Sequence, residues 1–199
     1  MRHAAWLVDL DGTLYHALPV KLMLGAELLA SGAGSIRALR VFRHEHERIR
    51  RELTEAVDDP FALQLERAAG RLGLTVDQLE QVVREWMFRR PGRWIRRFRR
   101  RSLLSEIAAF REAGGKTAVV SDYPARQKLD ALNARDLFDD VVASGEAPGP
   151  GRLKPWPDGY QLAAGRLGVQ PGACLVIGDR PDADGEAARR AGMDFRAPR

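Results

Sequence analysis

Polar residues stand at or just beyond the ends of three apolar stretches in this 199-residue chain. The run Ala5–Leu10 contains Asp9 and closes in Asp11-Gly12-Thr13, and alternation along an extended segment puts the two carboxylates on one side. Two anions that close are costly unless a cation neutralises them or one is protonated. Thr117–Val120 ends in Ser121-Asp122, and Ala173–Ile177 ends in Gly178-Asp179, with Asp182 and Asp184 in the loop beyond. Lys154 lies in Leu153-Lys154-Pro155, ahead of that last run. These groups suit the handling of phosphate if the runs are strands of an open parallel sheet, which binds ligands beyond its carboxyl ends.

The elements that would position them follow from periodicity. Ala5–Leu10, Thr117–Val120, Asp140–Ala143 and Ala173–Ile177 read as strands covered on both faces, short and bounded by Gly, Pro, Ser or Asp. Helical spacing marks Leu103–Phe110, Ala125–Ala134, Asp158–Leu167 and Ala183–Ala191, with Gly168 and Gly192 placed as helix ends. Strand alternating with helix predicts an α/β fold, a Rossmann-like parallel sheet core with helices on both faces and right-handed crossovers. The first connection is too long for one crossover. It carries amphipathic helical runs at Ala26–Ala30, Ile36–Val57, Phe61–Leu72 and Val76–Phe88 and no strand-like run, which predicts an inserted helical unit. The division expected is residues 1–15 and 99–199 for the core and 16–98 for the insert, with turns or hinges at Gly32-Ala33-Gly34 and Arg90-Pro91-Gly92.

Together the motifs resemble the haloacid-dehalogenase-like (HAD) phosphatase superfamily. Its pattern is an Asp-x-Asp-Gly-Thr strand end, a Ser or Thr after a second strand, a Lys, and a Gly-Asp-x4-Asp strand end. All four occur here in order, at Asp9/Asp11, Ser121, Lys154 and Asp179/Asp184. The resemblance implies a phosphatase acting on a small phosphorylated metabolite through an aspartyl-phosphate. Asp9 is then the nucleophile and Asp11 the general acid and base. Ser121 and Lys154 steady the transferring group. The implied cofactor is Mg²⁺, on Asp9, the backbone carbonyl of Asp11, Asp179 and Asp184, the last directly or through water. The insert is implied to be a cap that closes over the site. A phosphomutase uses the same Asp pair, and a non-catalytic binding module on the same scaffold is the alternative of a different class.

Plainer readings stand beside these. Asp-Gly is common in turns, Ser121 could start a helix with Asp122 as its cap, and a Lys before Pro is ordinarily a solvated loop residue. Asp182 reads as a helix-start residue and Cys174 as core. His3, His16, His44 and His46 form no metal pattern, and two residues apart His44 and His46 fall on different faces of a helix. His16 suits either substrate contact or entry to a hinge.

Composition narrows the classes further. Hydrophobic residues at 45% and charged residues at 30% fit a packed domain and exclude a disordered chain. No apolar run approaches membrane-spanning length, and the early aspartates interrupt any secretory signal, so a cytoplasmic location is expected with no membrane partner. The single Cys174 forms no internal disulfide. The net charge of +5 is local in origin: Arg84–Arg101 holds nine arginines and one acid. Trp94, Ile95 and Phe98 make an apolar stripe within it, which suggests a solvated face on a buried helix. An anionic substrate or partner is the alternative, and the patch keeps nucleic acid open as a less favoured one. Oligomeric state has no signature in the chain.

Overall fold

In the computed structural model, which describes residues 2–30 and 32–199, the four expected strands are present and a fifth joins them. They are β1 (Ala5–Val8), β2 (Lys116–Ser121), β3 (Asp140–Ala143), β4 (Cys174–Ile177) and β5 (Asp194–Arg196). All pair in parallel, in the order β3-β2-β1-β4-β5. The order reverses between β1 and β4, which brings the carboxyl ends carrying Asp9 and Asp179 side by side. That junction is the crevice where such sheets bind ligands.

Two-residue alternation divides the sheet into two buried faces. Val8, Val119, Val141, Leu175 and Ile177 meet Leu103 and Ile107 of α6 (Arg101–Glu112) and Leu129 and Leu132 of α7 (Arg126–Leu132). Ala5, Leu7, Ala118, Val120, Val142, Cys174 and Val176 meet Tyr160, Ala163 and Leu167 of α8 (Asp158–Leu167) and the alanines of α9 (Glu186–Ala191). Cys174 is thus a core residue. Gly168 and Gly192 end α8 and α9 in the left-handed conformation. The run expected to be helical from Ala183 begins instead as a π-helical turn, Pro181–Gly185, and becomes α-helical at Glu186.

Between β1 and β2 lie α1 (Ala17–Ala30), α2 (Ala33–Glu52), α3 (Pro60–Leu72), α4 (Val76–Val83), a π-helical segment (Arg84–Arg89) and α5 (Gly92–Arg97). Local chemistry sets several of their limits. Asp59 accepts from the Phe61 amide ahead of Pro60, and Thr75 and Gln78 form a reciprocal capping box at α4. The expected turn at residues 32–34 is narrower than the sequence suggests, because Ala33 and Gly34 are already helical behind Gly32; Ser31 lies outside the described residues. Phe42, Phe61, Leu65, Leu79, Trp86 and Phe88 build a cluster separate from the two sheet faces. Val20 of α1 and Ile95 of α5 belong to the sheet cluster instead. The chain leaves and returns at one place, where His16 N donates to Phe98 O at 2.9 Å and Arg100 N to Leu14 O at 2.9 Å. No described helix is long and apolar enough to cross a membrane.

The arginine-rich segment is partly neutralised from within. Glu27 of α1 accepts from Arg93 at 2.5 Å and from the Trp94 indole at 2.7 Å, while Arg84 pairs with Glu80 and Arg90 with Glu85. Ile95 is buried, with Trp94 and Phe98 packed beside it, and Arg96 and Arg97 face solvent.

Candidate functional site

The Asp9 amide makes the last rung of the β1–β4 ladder, donating to Ile177 O at 2.9 Å. Its buried carboxylate has both oxygens engaged: Oδ2 accepts from Thr13 Oγ1 at 2.8 Å and Oδ1 from Lys154 Nζ at 2.6 Å. Asp11 lies past the end of β1 in a turn, so strand alternation is not what aims it. Both its oxygens contact Lys128 Nζ, at 2.6 and 2.7 Å, and the Tyr15 hydroxyl donates to it. The like-charge problem posed by Asp9 and Asp11 is therefore met by two cations, one for each carboxylate.

Those surroundings push the two acids apart. Burial is the main influence on Asp9 and raises it to about 7; Lys154 opposes the rise, and the charges of Asp184 and Asp11 add to it. For Asp11 burial works in the same upward direction, but Lys128 and the Tyr15 hydroxyl outweigh it and hold the carboxyl below its ordinary range. Lys154 is raised well above a free lysine, because the attraction of Asp184 and Asp9 overcomes its burial. Its ammonium makes three short contacts: Asp9 Oδ1, Val120 O at 3.0 Å and Asp184 Oδ1 at 2.8 Å. The position before Pro is thus no solvated loop site.

Ser121 closes β2, buried, and its Oγ accepts from the Tyr123 amide at 3.2 Å. Asp122 caps no helix; the first amides at α7, Ala125 and Arg126, donate to Glu146 at 2.8 and 2.9 Å. Asp122 instead accepts from the Lys154 amide at 3.1 Å and from Arg50 of α2 at 2.8 Å. Asp184 is buried and accepts from Tyr160 at 2.9 Å and from the Arg180 amide at 3.2 Å. Asp179 is exposed at the cavity mouth, and partial loss of hydration around its carboxyl group, followed by the Asp184 charge, raises its pKa. Gly12, at φ +98°, is required here on two counts, since a Cβ would overlap the Asp179 carboxylate. Asp182 pairs with Arg180 at 2.7 Å and does not line the cavity.

A cavity of about 320 Å³ opens over these groups and reaches Asp9, Asp11, Ser121, Lys154, Asp179 and Asp184 together. Its far wall comes from α1, α2 and the π-helical segment, through residues such as Val20, Arg43, Arg50, Trp86 and Met87. His46 also lines it, stacked on Tyr123 at 4.4 Å between ring centres, with Nδ1 3.1 Å from Gln64 Oε1 and Nε2 3.8 Å from Asp122. His16 and His44 are exposed, and His3 pairs with Asp194 on the surface. Sequence reasoning placed Asp122 among the strand-end groups but missed Lys128, Tyr15, Arg50 and His46 as lining residues. Only Lys128 carried a signal, as one of four lysines against 28 arginines.

Strand order, the crevice and the paired carboxylates define a hydrolase of one family. Residues 4–192 match the haloacid dehalogenase-like hydrolases, and the chain belongs to that family. Along 97% of its length it is 31% identical to fructose-1-phosphate phosphatase YqaB of Escherichia coli (strain K12), 95% of which it covers. The fold is shared with HAD-hydrolase YfnB of Bacillus subtilis, solved bound to magnesium, at 15% identity and TM-score 0.65 over 98% of this chain and 88% of that one. It is shared too with a β-phosphoglucomutase of Clostridium difficile, at 16% identity and TM-score 0.61 over 97% and 83%.

Proposed function

We propose that this hydrolase is a Mg²⁺-dependent phosphatase that releases phosphate from a small phosphorylated metabolite through an aspartyl-phosphate on Asp9. The observation that carries this reading is the division of labour between the two aspartates, each buttressed by its own lysine at the floor of one cavity. Asp9 Oδ attacks phosphorus while the bond to the leaving oxygen breaks, and Asp11, ionised in the free site beside Lys128, takes the proton of the monoanionic phosphate ester and passes it to that oxygen. Water then attacks the same phosphorus, Asp11 takes the water's proton, and the bond to Asp9 breaks. Lys154 and Ser121 face the transferring oxygens and offset their charge.

The donor set fits Mg²⁺. Carboxylate oxygens of Asp9, Asp179 and Asp184 lie within 4.8 Å of one another, a cluster of hard donors, and three carboxylates share the single ammonium of Lys154 there. Asp9, the Asp11 carbonyl and Asp179 would hold the ion. Asp184 completes the cluster directly or through water, its oxygens already serving Lys154, Tyr160 and the Arg180 amide. When bound, the ion supplies charge that lets an anionic nucleophile meet an anionic phosphoryl group. The helical segment 16–98 serves as the cap, its residues forming the far wall of the cavity and excluding water. The test is hydrolysis of p-nitrophenyl phosphate. Wild type with Mg²⁺ should release inorganic phosphate, chelator should stop it, and Asp9→Asn should abolish it. Wild-type turnover in that variant, or full turnover in excess chelator, refutes the reading.

A further inference from the structure

Most charges around the cavity are accounted for. Lys154 is taken by Asp9 and Asp184, Lys128 by Asp11, Arg50 by Asp122 and Glu47, and Arg180 by Asp182 and Glu47. Two cations are left over. Among the described residues neither Lys21 of α1 nor Arg43 of α2 is in an ion pair, yet both line the cavity.

Helix phase shows that their placement is built in. Arg43, His46, Glu47 and Arg50 lie at i, i+3, i+4 and i+7 of α2 and all line the cavity, so Arg43 belongs to the stripe turned toward the site. Ala17, Lys21 and Leu24 make the matching stripe on α1. The charge of Arg43 is felt at the buried hydroxyls of Tyr15 and Tyr123, both on the cavity wall. Arg50 adds a further donor: its Nε is buried with no hydrogen-bond partner. The floor supplies the carboxylates and lysines that would handle a phosphoryl group. The opposite wall thus offers positive charge that the protein itself leaves uncompensated, beside apolar Trp86 and Met87.

We infer that Lys21 and Arg43 form a second anion subsite, which selects phosphate monoesters bearing another acidic group, a carboxylate or a second phosphate, on the end remote from the scissile bond. This rests on the phosphatase reading above. A neutral sugar phosphate leaves the two cations unmatched, whereas a doubly anionic substrate pairs with both ends of the cavity at once. Unlike long-range steering, which would favour every phosphate alike, such a subsite discriminates between molecules that share the phosphate and differ at the far end.

The experiment follows p-nitrophenyl phosphate hydrolysis with Mg²⁺ at fixed ionic strength and measures inhibition by matched pairs. One is 3-phosphoglycerate against glycerol 3-phosphate, which tests a carboxylate. The other is fructose 1,6-bisphosphate against fructose 1-phosphate, which tests a second phosphate. The doubly anionic member of at least one pair should bind roughly tenfold more tightly, the worth of one charge-assisted hydrogen bond. Both residues are exposed on helix surfaces, so Lys21→Gln, Arg43→Gln and their combination should fold, and the combination should erase most of that preference. Equal binding within both pairs overturns the inference, as does a preference that survives the double variant. A double variant that weakens both members of a pair equally also overturns it, since that is the mark of general steering. If wild type does not hydrolyse the reporter at all, the phosphatase reading is what has failed.

Discussion

Replacing Asp122 tests how firmly α2 is tied to the site. Its carboxylate and the Arg50 guanidinium meet at 2.8 Å with side chains 10% and 11% exposed, and the Lys154 amide donates to the other oxygen at 3.1 Å. Burial alone would raise this acid, but His46, Lys154 and Arg50 together hold it far below the ordinary carboxylate range. Removing one partner of a buried, hydrogen-bonded pair costs about 3–5 kcal/mol, and the residual exposure here favours the lower end for Asp122→Ala. Asp122→Asn keeps an acceptor for the Lys154 amide and loses only the charge, so about 1.5–3 kcal/mol is expected. The pH dependence has a definite sign. A pKa lower in the folded than in the unfolded chain stabilises above the unfolded value, about 3.9, and that contribution fades as pH falls below it. Urea unfolding from pH 7 to pH 3 should therefore show the gap between wild type and Asp122→Asn closing toward the acid end. A cycle with Arg50→Met should return a coupling of at least about 1 kcal/mol. An Asp122→Ala variant within about 0.5 kcal/mol of wild type, or a gap indifferent to pH, would refute the reasoning.

Asp11 and Lys128 should respond unequally to truncation. Asp11→Asn strands a cation whose side chain is 4% exposed and costs about 3 kcal/mol, whereas Lys128→Met leaves a carboxylate 31% exposed that can rehydrate and costs about 1 kcal/mol; thermal unfolding of both single variants and of the double, which should recover stability over Asp11→Asn, checks this. Gly12→Ala should destabilise the fold by about 1–3 kcal/mol through positive-φ strain and displace Asp179, seen as a higher Mg²⁺ requirement in a metal titration of the reporter assay. Lys154→Arg, although it keeps the charge, should cut kcat by roughly a hundredfold or more, measured at saturating reporter, because a planar fork cannot reproduce the three contacts of the ammonium.

Much of the core was legible because a strand covered on both faces is a short apolar run between breakers, as in β1 to β4. Strand β5 is different. Asp194-Phe195-Arg196 pairs with one neighbour only and places charged residues at both ends, so it carries no such run. The motif aspartates were legible from residue type and order, yet the reason given for their convergence was wrong: Asp11 is aimed by a turn, Tyr15 and Lys128. Partners drawn from distant parts of the chain were harder still. Arg50 reaches Asp122 across 72 positions, and in a helix rich in Arg, His and Glu no residue type separates Arg43 and Arg50, which line the cavity, from their solvated neighbours.

The lysines show where residue choice itself held information. In a chain that uses arginine almost everywhere a cation is wanted, lysine persists at Lys128 and Lys154, both buried against site carboxylates. Geometry gives the reason. Lys154 gathers two hydrogen-bond acceptors, Asp9 and Val120 O, and the ion-paired Asp184 around one nitrogen, a pattern a compact ammonium satisfies and a flat guanidinium does not. Lys128 sits against the rings of Phe88 and Tyr123, 5.4 and 5.9 Å from their centres, with its single nitrogen on both Asp11 oxygens. Arg43, by contrast, lies on the wall where an anion would arrive from outside, and there a forked, fully charged guanidinium is the better donor. On the floor, then, lysine pairs the two buried or half-buried catalytic carboxylates, while on the wall arginine serves both tasks: Arg50 pairs Asp122, and Arg43 shares the proposed subsite with Lys21.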